Sequence, residues 1–491
     1  MRKLIIAIDQ GTTGSTVLVL DDTLNVLGRA NQEFTQHFPK PGWVEHEPSE
    51  ILASVQHALA QAIESAQALP EEIACVGITN QRETVVVWDK NTRKPVHRAI
   101  VWQDRRTADL CATLKDNGAE DMVRAKTGLL LDPYFSGTKI KWILDETQTR
   151  NAAKAGEVVC GTVDSFLVWH LTDGDKHVTD PSNACRTLLM NLDELEWDDA
   201  LLELLDIPRQ MLPEIRTSSE IYGYTKNFPG LPDGIPVSGM AGDQQSALFG
   251  QACFTPGQAK CTYGTGCFVL MNTGDTPVRS DHGLLTSVGW SLDGQVTYVL
   301  EGSAFVAGAA VQWLRDGLGL IKSAPEIEQL ARSVQDSGGV HFVPALTGLG
   351  APHWNPHARG QISGLTRGTT AAHLARATLE GIAFQNYEIL DAMAQDADIN
   401  LAALKVDGGA AANGLLMQIQ AELLNTEVVR PKFLETTALG AAFLAGLGAG
   451  VWPDQAALSA HWQEDRRFVR TLSESNVAEK KKGWQEAISK L

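Results

Sequence analysis

The sequence predicts an α/β protein of two domains that share one architecture and enclose a ligand cleft. Residues 4–20 (LIIAIDQGTTGSTVLVL) predict a β-hairpin, because two apolar runs flank a short turn rich in Gly and Thr. Residues 258–272 (QAKCTYGTGCFVLMN) repeat this arrangement in the second half of the 491-residue chain. Strands mixed with helices follow each hairpin in a similar order. We therefore expect domains over residues 1–249 and 250–491, with the ligand between them.

The composition excludes several classes of protein. Apolar residues make up 44% and charged residues 20% of the chain, which is ordinary for a globular protein with a full core. A net charge of -18 disfavours binding to nucleic acid or to an anionic membrane. The seven cysteines contain no C-x-x-C pair, so they indicate neither a disulfide framework nor a zinc cluster. Because no signal peptide or membrane span is predicted, we expect a cytoplasmic protein.

Elements of the first half follow from local patterns. Apolar residues at helical spacing predict a helix over residues 49–66, and the stretch PKPGWVEHEP at 39–48 predicts a loop. Residues 105–245 are expected to be mostly helical with loops, including a helix over 199–205. Strands are predicted over residues 25–30, 73–79, 84–88, 99–102 and 237–241.

The second half is expected to repeat this order. Strands are predicted over residues 284–290, 296–300 and 404–406. Helices are predicted over residues 303–315, 374–393 and 414–424.

Three Gly-rich strand ends are candidate phosphate sites. No P-loop, Rossmann or protein-kinase signature occurs, but small residues end strands at 9–14, 263–266 and 407–413. Backbone N–H groups and Thr hydroxyls at such turns can contact phosphate oxygens. Asp9 could hold Mg²⁺ directly or through water. An ordinary tight turn with a solvated Asp is the alternative for the first hairpin.

Asp243 is a candidate general base. It follows an apolar strand in the stretch GDQQ, and phosphoryl transfer to an alcohol needs a carboxylate that accepts the hydroxyl proton. The alternative is a helix N-cap for residues 244–250, and both roles are compatible.

Arg82 and Glu83 are candidates for binding a small polyol. They lie on a tight connection between two predicted strands, and together they offer donors and acceptors for adjacent hydroxyls. The alternative is a surface ion pair. Trp102, Tyr134 and Phe268 could cover the carbon face of such a substrate, although lone aromatic residues more often belong to a core.

These residues lie in motifs that resemble the FGGY carbohydrate kinases over essentially the whole chain. Both family signatures are present, YFSGTKIKWILDE at 134–146 and GQISGLTRGTTAAHLARATLE at 360–380. The remaining motifs are similar to those of the members that phosphorylate glycerol: DQGTT at 9–13, PGWVEHEP at 41–48, GITNQRET at 77–84, DPYFSGTK at 132–139, AGDQQ at 241–245, YGTGCF at 263–268 and VDGGAAAN at 406–413.

The resemblance implies two actin-like, RNase H-type domains with a duplicated core, and ATP-dependent phosphorylation of glycerol to sn-glycerol 3-phosphate. Asp243 would be the general base, and Asp9 and Asp243 would hold Mg²⁺. Glycerol would contact Arg82, Glu83, Trp102, Tyr134, Asp243, Gln244 and Phe268. ATP would contact Thr12, Thr13, Gly14, Thr265, Gly308, Gln312, Gly409 and Asn413. A homodimer or homotetramer is expected.

One departure and two alternatives accompany the resemblance. Related enzymes usually read DQGTTSSR where this chain reads DQGTTGST, so Thr16 replaces an arginine expected near the nucleotide phosphates. A kinase of another small polyol or sugar, such as erythritol or dihydroxyacetone, is the first alternative. A non-catalytic nucleotide-binding regulatory protein on the same fold is the second.

Overall fold

A computed structural model describes residues 2–491 of the chain. Strands of the first half are β1 (Leu4–Gln10), β2 (Gly14–Asp21), β3 (Val26–Glu33), β4 (Glu45–His46), β5 (Ile73–Asn80), β6 (Val85–Asp89), β7 (Ala99–Ile100), β8 (Val158–Thr162), β9 (Val178–Thr179), β10 (Met190–Asn191), β11 (Glu196–Trp197), β12 (Glu214–Ile215), β13 (Ser219–Tyr224) and β14 (Pro236–Gly242). Its helices are α1 (Pro48–Ala66), α2 (Ala108–Asp116), α3 (Glu120–Thr127), α4 (Ser136–Thr147), α5 (Arg150–Lys154), α6 (Val163–Leu171), α7 (Pro181–Ala184), α8 (Asp199–Leu205) and α9 (Asp243–Gly250).

The second half continues the series. Its strands are β15 (Gln258–Tyr263), β16 (Cys267–Gly274), β17 (Leu285–Leu292), β18 (Gln295–Ala304), β19 (His341–Val343), β20 (Gln361–Ser363), β21 (Ala403–Asp407), β22 (Val428–Pro431) and β23 (Glu464–Phe468). Its helices are α10 (Gly308–Asp316), α11 (Glu326–Arg332), α12 (Ala371–Ala397), α13 (Gly414–Leu424), α14 (Thr436–Gly448), α15 (Gln455–His461) and α16 (Glu474–Ile488). Within residues 2–491, every helix is too short or too polar to span a bilayer.

The two large sheets share one topology. In the first half the strand order is β13-β14-β5-β1-β2-β3, and in the second it is β17-β18-β16-β15-β21-β22-β23. Each sheet contains three adjacent antiparallel strands, β1-β2-β3 and β15-β16-β18, and in the second sheet β17 adds a further antiparallel edge strand beside β18. Each then adds two parallel strands, β5 and β14 or β21 and β22, and one antiparallel edge strand. The predicted duplication of the core is therefore confirmed, and the division at residues 249 and 250 stays a prediction.

Strand β1 shows how the sequence builds the first sheet. Its side chains alternate between the two faces of the sheet. Leu4, Ile6 and Ile8 pack with Ile51 and Val55 of α1 on one face. On the other face, Ile5 and Ala7 pack with Ala441 and Ala445 of α14. A strand that is covered on both faces needs a continuous apolar run, which residues 4–8 supply.

Helix α14 connects the two halves. It belongs to the second half of the chain but packs on the first sheet, and the same core cluster includes Leu270 and Val299 of the second sheet. Its small residues permit this close packing. A Cβ atom on Gly77 of β5 would lie 2.1 Å from the Ala441 carbonyl oxygen, so the strand and the helix meet backbone to backbone.

Several predicted elements are confirmed, including both hairpins, α1, α8, α12 and α13. The predicted helix over 303–315 is wrong at its start, because Ser303 and Ala304 complete β18 and pair with β16. The expectation of mainly helix and loop over 105–245 missed β8 to β13, which are short. The predicted loop over 39–48 contains β4, which pairs with β7.

Candidate active site

Three parallel strands of the first sheet end side by side and place the candidate residues at one edge. Asp9 on β1 is aligned with Thr79 on β5, and Thr79 is aligned with Ala241 on β14. Ligands of α/β proteins bind beyond the carboxyl ends of parallel strands, where loops diverge. Arg82 follows the end of β5 and Asp243 follows the end of β14. The topology therefore brings Asp9, Arg82 and Asp243 to the same edge.

Asp243 is the first residue of α9 and follows directly on the last residue of β14. Its side chain is 31% exposed, and its Oδ1 lies 3.2 Å from Nε of the buried Arg82. The prediction that Asp243 caps α9 is wrong, because Gly242 holds the N-cap position and no side chain caps this helix. A side chain at position 242 would collide with Arg82, since a Cβ atom there would lie 2.6 Å from its Cγ. Oδ1 of Asp243 instead accepts a hydrogen bond from the Gln244 backbone N–H at 2.8 Å.

Arg82 is held in a buried ionic network that joins the two halves of the chain. Its guanidinium donates two hydrogen bonds to Glu301 of β18, at 2.6 and 2.9 Å, and a third to Gln245 at 3.1 Å. Arg186 donates to Glu83 at 2.6 Å and to Glu301 at 3.3 Å. The alternative of a surface ion pair is wrong, because Arg82 and Glu83 are 2% and 1% exposed.

Opposite charges offset the effect of burial unequally within this network, and burial still raises the pKa of Glu83 against the effect of Arg82 and Arg186. Burial raises the pKa of Glu301, but Arg186 and Arg82 outweigh burial and lower it to about 2. Burial also lowers the pKa of Arg82, which Glu301 and Glu83 raise well above its usual range. Two guanidinium groups and two carboxylates thus balance each other without solvent. Arg82 is consequently fixed in position before any ligand arrives.

The three aromatic candidates are half-buried, two of them are neighbours, and Tyr134 also packs against a core cluster of the first half. Trp102 and Tyr134 meet edge to face, with ring centroids 5.8 Å apart. The Tyr134 hydroxyl accepts a hydrogen bond of 3.5 Å from Arg82, and the fully buried Lys139 donates to the Tyr134 backbone carbonyl. Phe268 lies on β16, paired with Thr262 and Ser303, and no aromatic contact involves it within residues 2–491.

Asp9 lies in a concentration of negative charge. Burial, Asp243 and Glu435 together raise the pKa of Asp9 to about 7. Glu435 precedes α14 and forms an ion pair with Arg29 at 2.5 Å. Two of the carboxylates predicted to meet the phosphates and the metal, Asp9 and Asp243, are therefore close enough to influence each other electrostatically.

The turn of the first hairpin is closed and tied to Trp102. The Gly11 backbone N–H donates to the Gly14 carbonyl at 2.9 Å. The indole Nε1 of Trp102 donates to Thr12 Oγ1 at 2.9 Å, whereas Thr13 is exposed. Gly14 closes the turn as the first residue of β2, and a Cβ atom there would approach the Gln32 carbonyl to 2.8 Å. The close approach of β3 therefore explains Gly14 without a ligand.

The candidates of the second half gather around the turn between β15 and β16. Gly308 begins α10, and its N–H donates to the Gly264 carbonyl at 3.0 Å, next to the exposed Thr265. A Cβ atom on Gly308 would lie 2.6 Å from that carbonyl oxygen. Gly408 approaches the Tyr263 backbone equally closely, and Gly409 faces open space.

Asn413 and Gln312 are two further nucleotide candidates of the second half, and only Asn413 has its side chain in a helix cap. Asn413 caps α13, with its side-chain oxygen accepting from the N–H groups of Leu415 and Leu416 at 3.1 and 3.0 Å. Only its amide NH₂ group is left for a ligand. Gln312 lies one turn into α10 and is exposed.

Sequence reasoning missed Glu301, Arg186 and Lys260, which are all fully or almost fully buried. Lys260 contacts Gln244 and Thr262, and the two other residues hold Arg82 and Glu83. A signal was present for two of them. Glu301 interrupts the run VTYVLEGSA and Lys260 interrupts QAKCTY, and a charge inside an apolar strand needs a buried partner.

Profiles of known families match most of the chain. The N-terminal domain of the FGGY family of carbohydrate kinases matches residues 4–250, and its C-terminal domain matches residues 259–449. The chain belongs to the FGGY family of carbohydrate kinases. Its relatives in this family include the glycerol kinase of Carboxydothermus hydrogenoformans, 56% identical over 490 residues, with 100% of this chain and 98% of the relative covered. Glycerol kinase 2 of Thermotoga maritima is 55% identical, with coverages of 99% and 98%.

Solved structures of FGGY kinases have the same fold. The glycerol kinase of Plasmodium falciparum with ADP superposes with a TM-score of 0.94 and 37% identity, covering 100% of this chain and 98% of that one. The gluconate kinase of Lactobacillus acidophilus gives a TM-score of 0.89 at 22% identity, with coverages of 100% and 97%. The predicted fold class, two α/β domains with a duplicated core, is confirmed by these FGGY structures.

Proposed function

We propose that the chain is an ATP-dependent glycerol kinase that forms sn-glycerol 3-phosphate. Relatives named glycerol kinase that align over nearly the whole chain, at 56% and 55% identity, support glycerol rather than a sugar as the substrate. The observation that carries the chemistry is the placement of Asp243. Its carboxylate is partly exposed at the strand edge, 3.2 Å from an arginine that the protein holds rigidly.

Asp243 acts as the general base in this proposal. The attacking hydroxyl of glycerol gives its proton to the Asp243 carboxylate while its oxygen bonds to the γ-phosphorus of ATP, and the bond from that phosphorus to ADP breaks. Oδ1 is already engaged by the Gln244 N–H at 2.8 Å and by Arg82. Oδ2 contacts only the Gln244 amide, at 3.3 Å, within residues 2–491. Oδ2 is therefore the oxygen better placed to accept the proton.

We assign the remaining polyol contacts to residues near the sheet edge at which β1, β5 and β14 end. Arg82 and Glu83 offer donors and an acceptor to vicinal hydroxyls, and their buried network holds them in place. Trp102 and Tyr134 present ring edges and faces that suit the carbon chain of glycerol. We assign Gln244 and Phe268 to the same substrate.

ATP is assigned to the small-residue turns of both halves. Thr12, Thr13 and Gly14 form the turn of the first hairpin, and Thr265 and Gly308 form the equivalent corner of the second. Gly409 faces open space, and we assign Asn413 and Gln312 to the nucleotide together with it. Closure of the two halves around both substrates would exclude water, which otherwise competes with glycerol for the phosphoryl group.

The residues fit Mg²⁺ bound mainly through the nucleotide. Within residues 2–491 no group of three or more acidic, His or Cys side chains is arranged as a metal site. Mg²⁺ commonly uses one or two carboxylates together with phosphates and waters. The raised pKa of Asp9 reflects its burial first and then the nearby carboxylates Asp243 and Glu435, whose negative charge a bound cation would offset. Asp9 and Asp243 would hold it, and when bound it offsets the charge of the phosphates.

The test is a panel of polyols and sugars with Mg-ATP, followed by ADP release. Glycerol should give the highest kcat/KM, ahead of erythritol and dihydroxyacetone. Asp243→Asn should lower kcat by about 10²–10⁴-fold because the base is lost. Asp199→Asn, at an exposed position of α8, is the matched control and should leave kcat unchanged.

Other outcomes would contradict the proposal in distinct ways. Faster turnover of another polyol would move the assignment to a kinase of that substrate. ATP binding without turnover of any polyol would favour a nucleotide-binding regulatory protein. Near-normal turnover by Asp243→Asn would remove Asp243 as the base. A cytoplasmic homodimer or homotetramer is also proposed. Light scattering of the purified chain tests its oligomeric state separately from its activity.

A further inference from the structure

Lys260 is a charged residue in the middle of a buried strand, outside the set of residues assigned to substrate, metal or base. It lies on β15, its side chain is fully buried, and it is aligned with Lys405 on β21. Its ammonium donates to Thr262 Oγ1 at 3.0 Å and to the side-chain oxygen of Gln244. Burial lowers its pKa, while the nearby Asp407 and Asp243 oppose that effect. A lysine buried in this way requires strong partners.

The contact with Lys260 determines which way the Gln244 amide is turned. An ammonium group carries only donors, so it must face the carbonyl oxygen of the amide and not its NH₂ group. With Oε1 held by Lys260, the NH₂ group of Gln244 points to Asp243 Oδ2 at 3.3 Å. One of its two N–H bonds is used there, and the other remains to donate into the cleft.

We infer that Lys260 is a positioning residue that fixes Gln244 as a hydrogen-bond donor beside Asp243. This inference rests on the proposed function. In the reverse orientation, the Gln244 oxygen would face the Asp243 carboxylate, and two acceptors would repel each other. Lys260 thus makes Gln244 orient the base and present a donor to a substrate oxygen. The site then favours a substrate with a hydroxyl oxygen next to the reacting one, as in a vicinal diol.

Lys260→Met removes the ammonium and keeps most of the side-chain length. We expect kcat/KM for glycerol to fall about 10- to 100-fold, because the Gln244 amide is no longer held, while KM for ATP changes less than about threefold. Lys405→Met is the matched control. Lys405 is also a largely buried strand lysine, but it donates to the backbone carbonyls of Gln251 and Ala252, so its loss should change stability and not the glycerol kinetics.

A double-mutant cycle separates positioning from a general structural role. In a Gln244→Ala background, Lys260→Met should cause little further loss of kcat/KM, because its effect passes through Gln244. Additive losses would overturn the inference. An increase in KM for ATP as large as the glycerol effect would also overturn it, because Lys260 would then act on the phosphates.

Gln244→Glu provides a second variant if Lys260→Met does not fold. Glu at 244 keeps an acceptor for Lys260 but cannot donate beside Asp243, so it should lose glycerol kcat/KM as strongly as Lys260→Met. Wild-type kinetics in Gln244→Glu would overturn the inference.

A crystal structure of Lys260→Met separates this inference from the proposed function. If the wild-type chain phosphorylates no polyol, the proposed function fails, and the structure still tests Lys260. We expect the Gln244 amide to leave its 3.3 Å contact with Asp243. An unmoved amide would overturn the inference.

Discussion

At the scale of single residues, the candidate site depends on a buried ionic network. Arg82, Glu83, Arg186 and Glu301 form a network of two positive and two negative charges. Removing one member of a buried ionic network leaves its partners without compensation, which costs far more than losing a surface ion pair. Glu301 is the member that comes from the second half, so it holds Arg82, the arginine that we assign to glycerol, from the other half of the chain.

Glu301→Ala should destabilise the folded chain by about 3–5 kcal/mol, because Arg186 would keep only Glu83 as a counter-ion, and Arg82 would keep Glu83 and the partly exposed Asp243. Urea unfolding at neutral pH measures this change. Glu427→Ala is the control, since Glu427 pairs with Arg467 at a half-exposed position and should change stability by about 0–1 kcal/mol. Equal effects of the two substitutions would contradict the importance of the buried network.

The pH dependence of this contribution has a defined sign. The pKa of Glu301 falls from 4.5 to about 2 on folding, so the carboxylate stabilises the fold above about pH 4.5. That contribution is lost as the pH falls from 4.5 towards 2. The difference in unfolding free energy between wild type and Glu301→Ala should therefore narrow with acid over this range.

At the scale of elements, one donor contact ties the substrate side of the site to the first hairpin. Trp102 follows β7 and donates its indole N–H to Thr12 in the turn between β1 and β2. A threonine hydroxyl has one proton and two lone pairs, so a hydroxyl that accepts from Trp102 keeps its own proton for another acceptor. If ATP binds at this turn as proposed, the Thr12 hydroxyl is free to donate to a phosphate oxygen.

Trp102→Phe tests this contact, because it keeps an aromatic ring beside Tyr134 and removes the N–H donor. Catalytic efficiency for ATP should fall about fivefold, the effect of one hydrogen bond, with a smaller change in KM for glycerol. Steady-state kinetics with each substrate varied in turn measure both. Trp197→Phe is the control, since the Trp197 indole donates to the Pro213 carbonyl away from the site. A larger loss for glycerol than for ATP would contradict the proposed role of Trp102 at the hairpin.

Elements with a continuous local pattern could be predicted from the sequence, and elements defined by distant partners could not. The apolar run at residues 4–8 and the Gly-Thr turn after it predict the first hairpin, because a strand that is buried on both faces consists of consecutive apolar residues. Ser303 and Ala304 suit a helix equally well by composition, and only pairing with β16 makes them a strand. Asp243 and Arg82 were found through motifs, but Arg186 is about 100 residues from Glu83, and no local pattern records that contact.

At the scale of the whole molecule, α14 of the second half packs against the first half and so links the positions of the two halves. It packs on the first sheet and on α9, whose first residue is Asp243. The α9–α14 contact is exceptionally close, since a Cβ atom on Gly440 would lie 1.8 Å from the Ser246 carbonyl oxygen. Gly250 of α9 is equally close to Thr436. Nothing larger than glycine fits at these positions unless the two helices separate.

Gly440→Ala should therefore displace α9, and Asp243 with it, away from the substrate. Overpacking of this kind costs about 1–3 kcal/mol of stability, and a shift of about 1 Å in a catalytic group can lower the rate about 10²-fold. We expect kcat/KM for glycerol to fall steeply while ATP binding, which depends on the turns of both halves, weakens less. Gly368→Ala is the control, because a Cβ atom there meets only the Thr366 hydroxyl, at 3.7 Å. If Gly440→Ala lowered stability but kept wild-type turnover, α9 would take its position from β14 alone. If Gly440→Ala lowered stability and turnover together, α14 of the second half would position Asp243, the proposed base, in the first half.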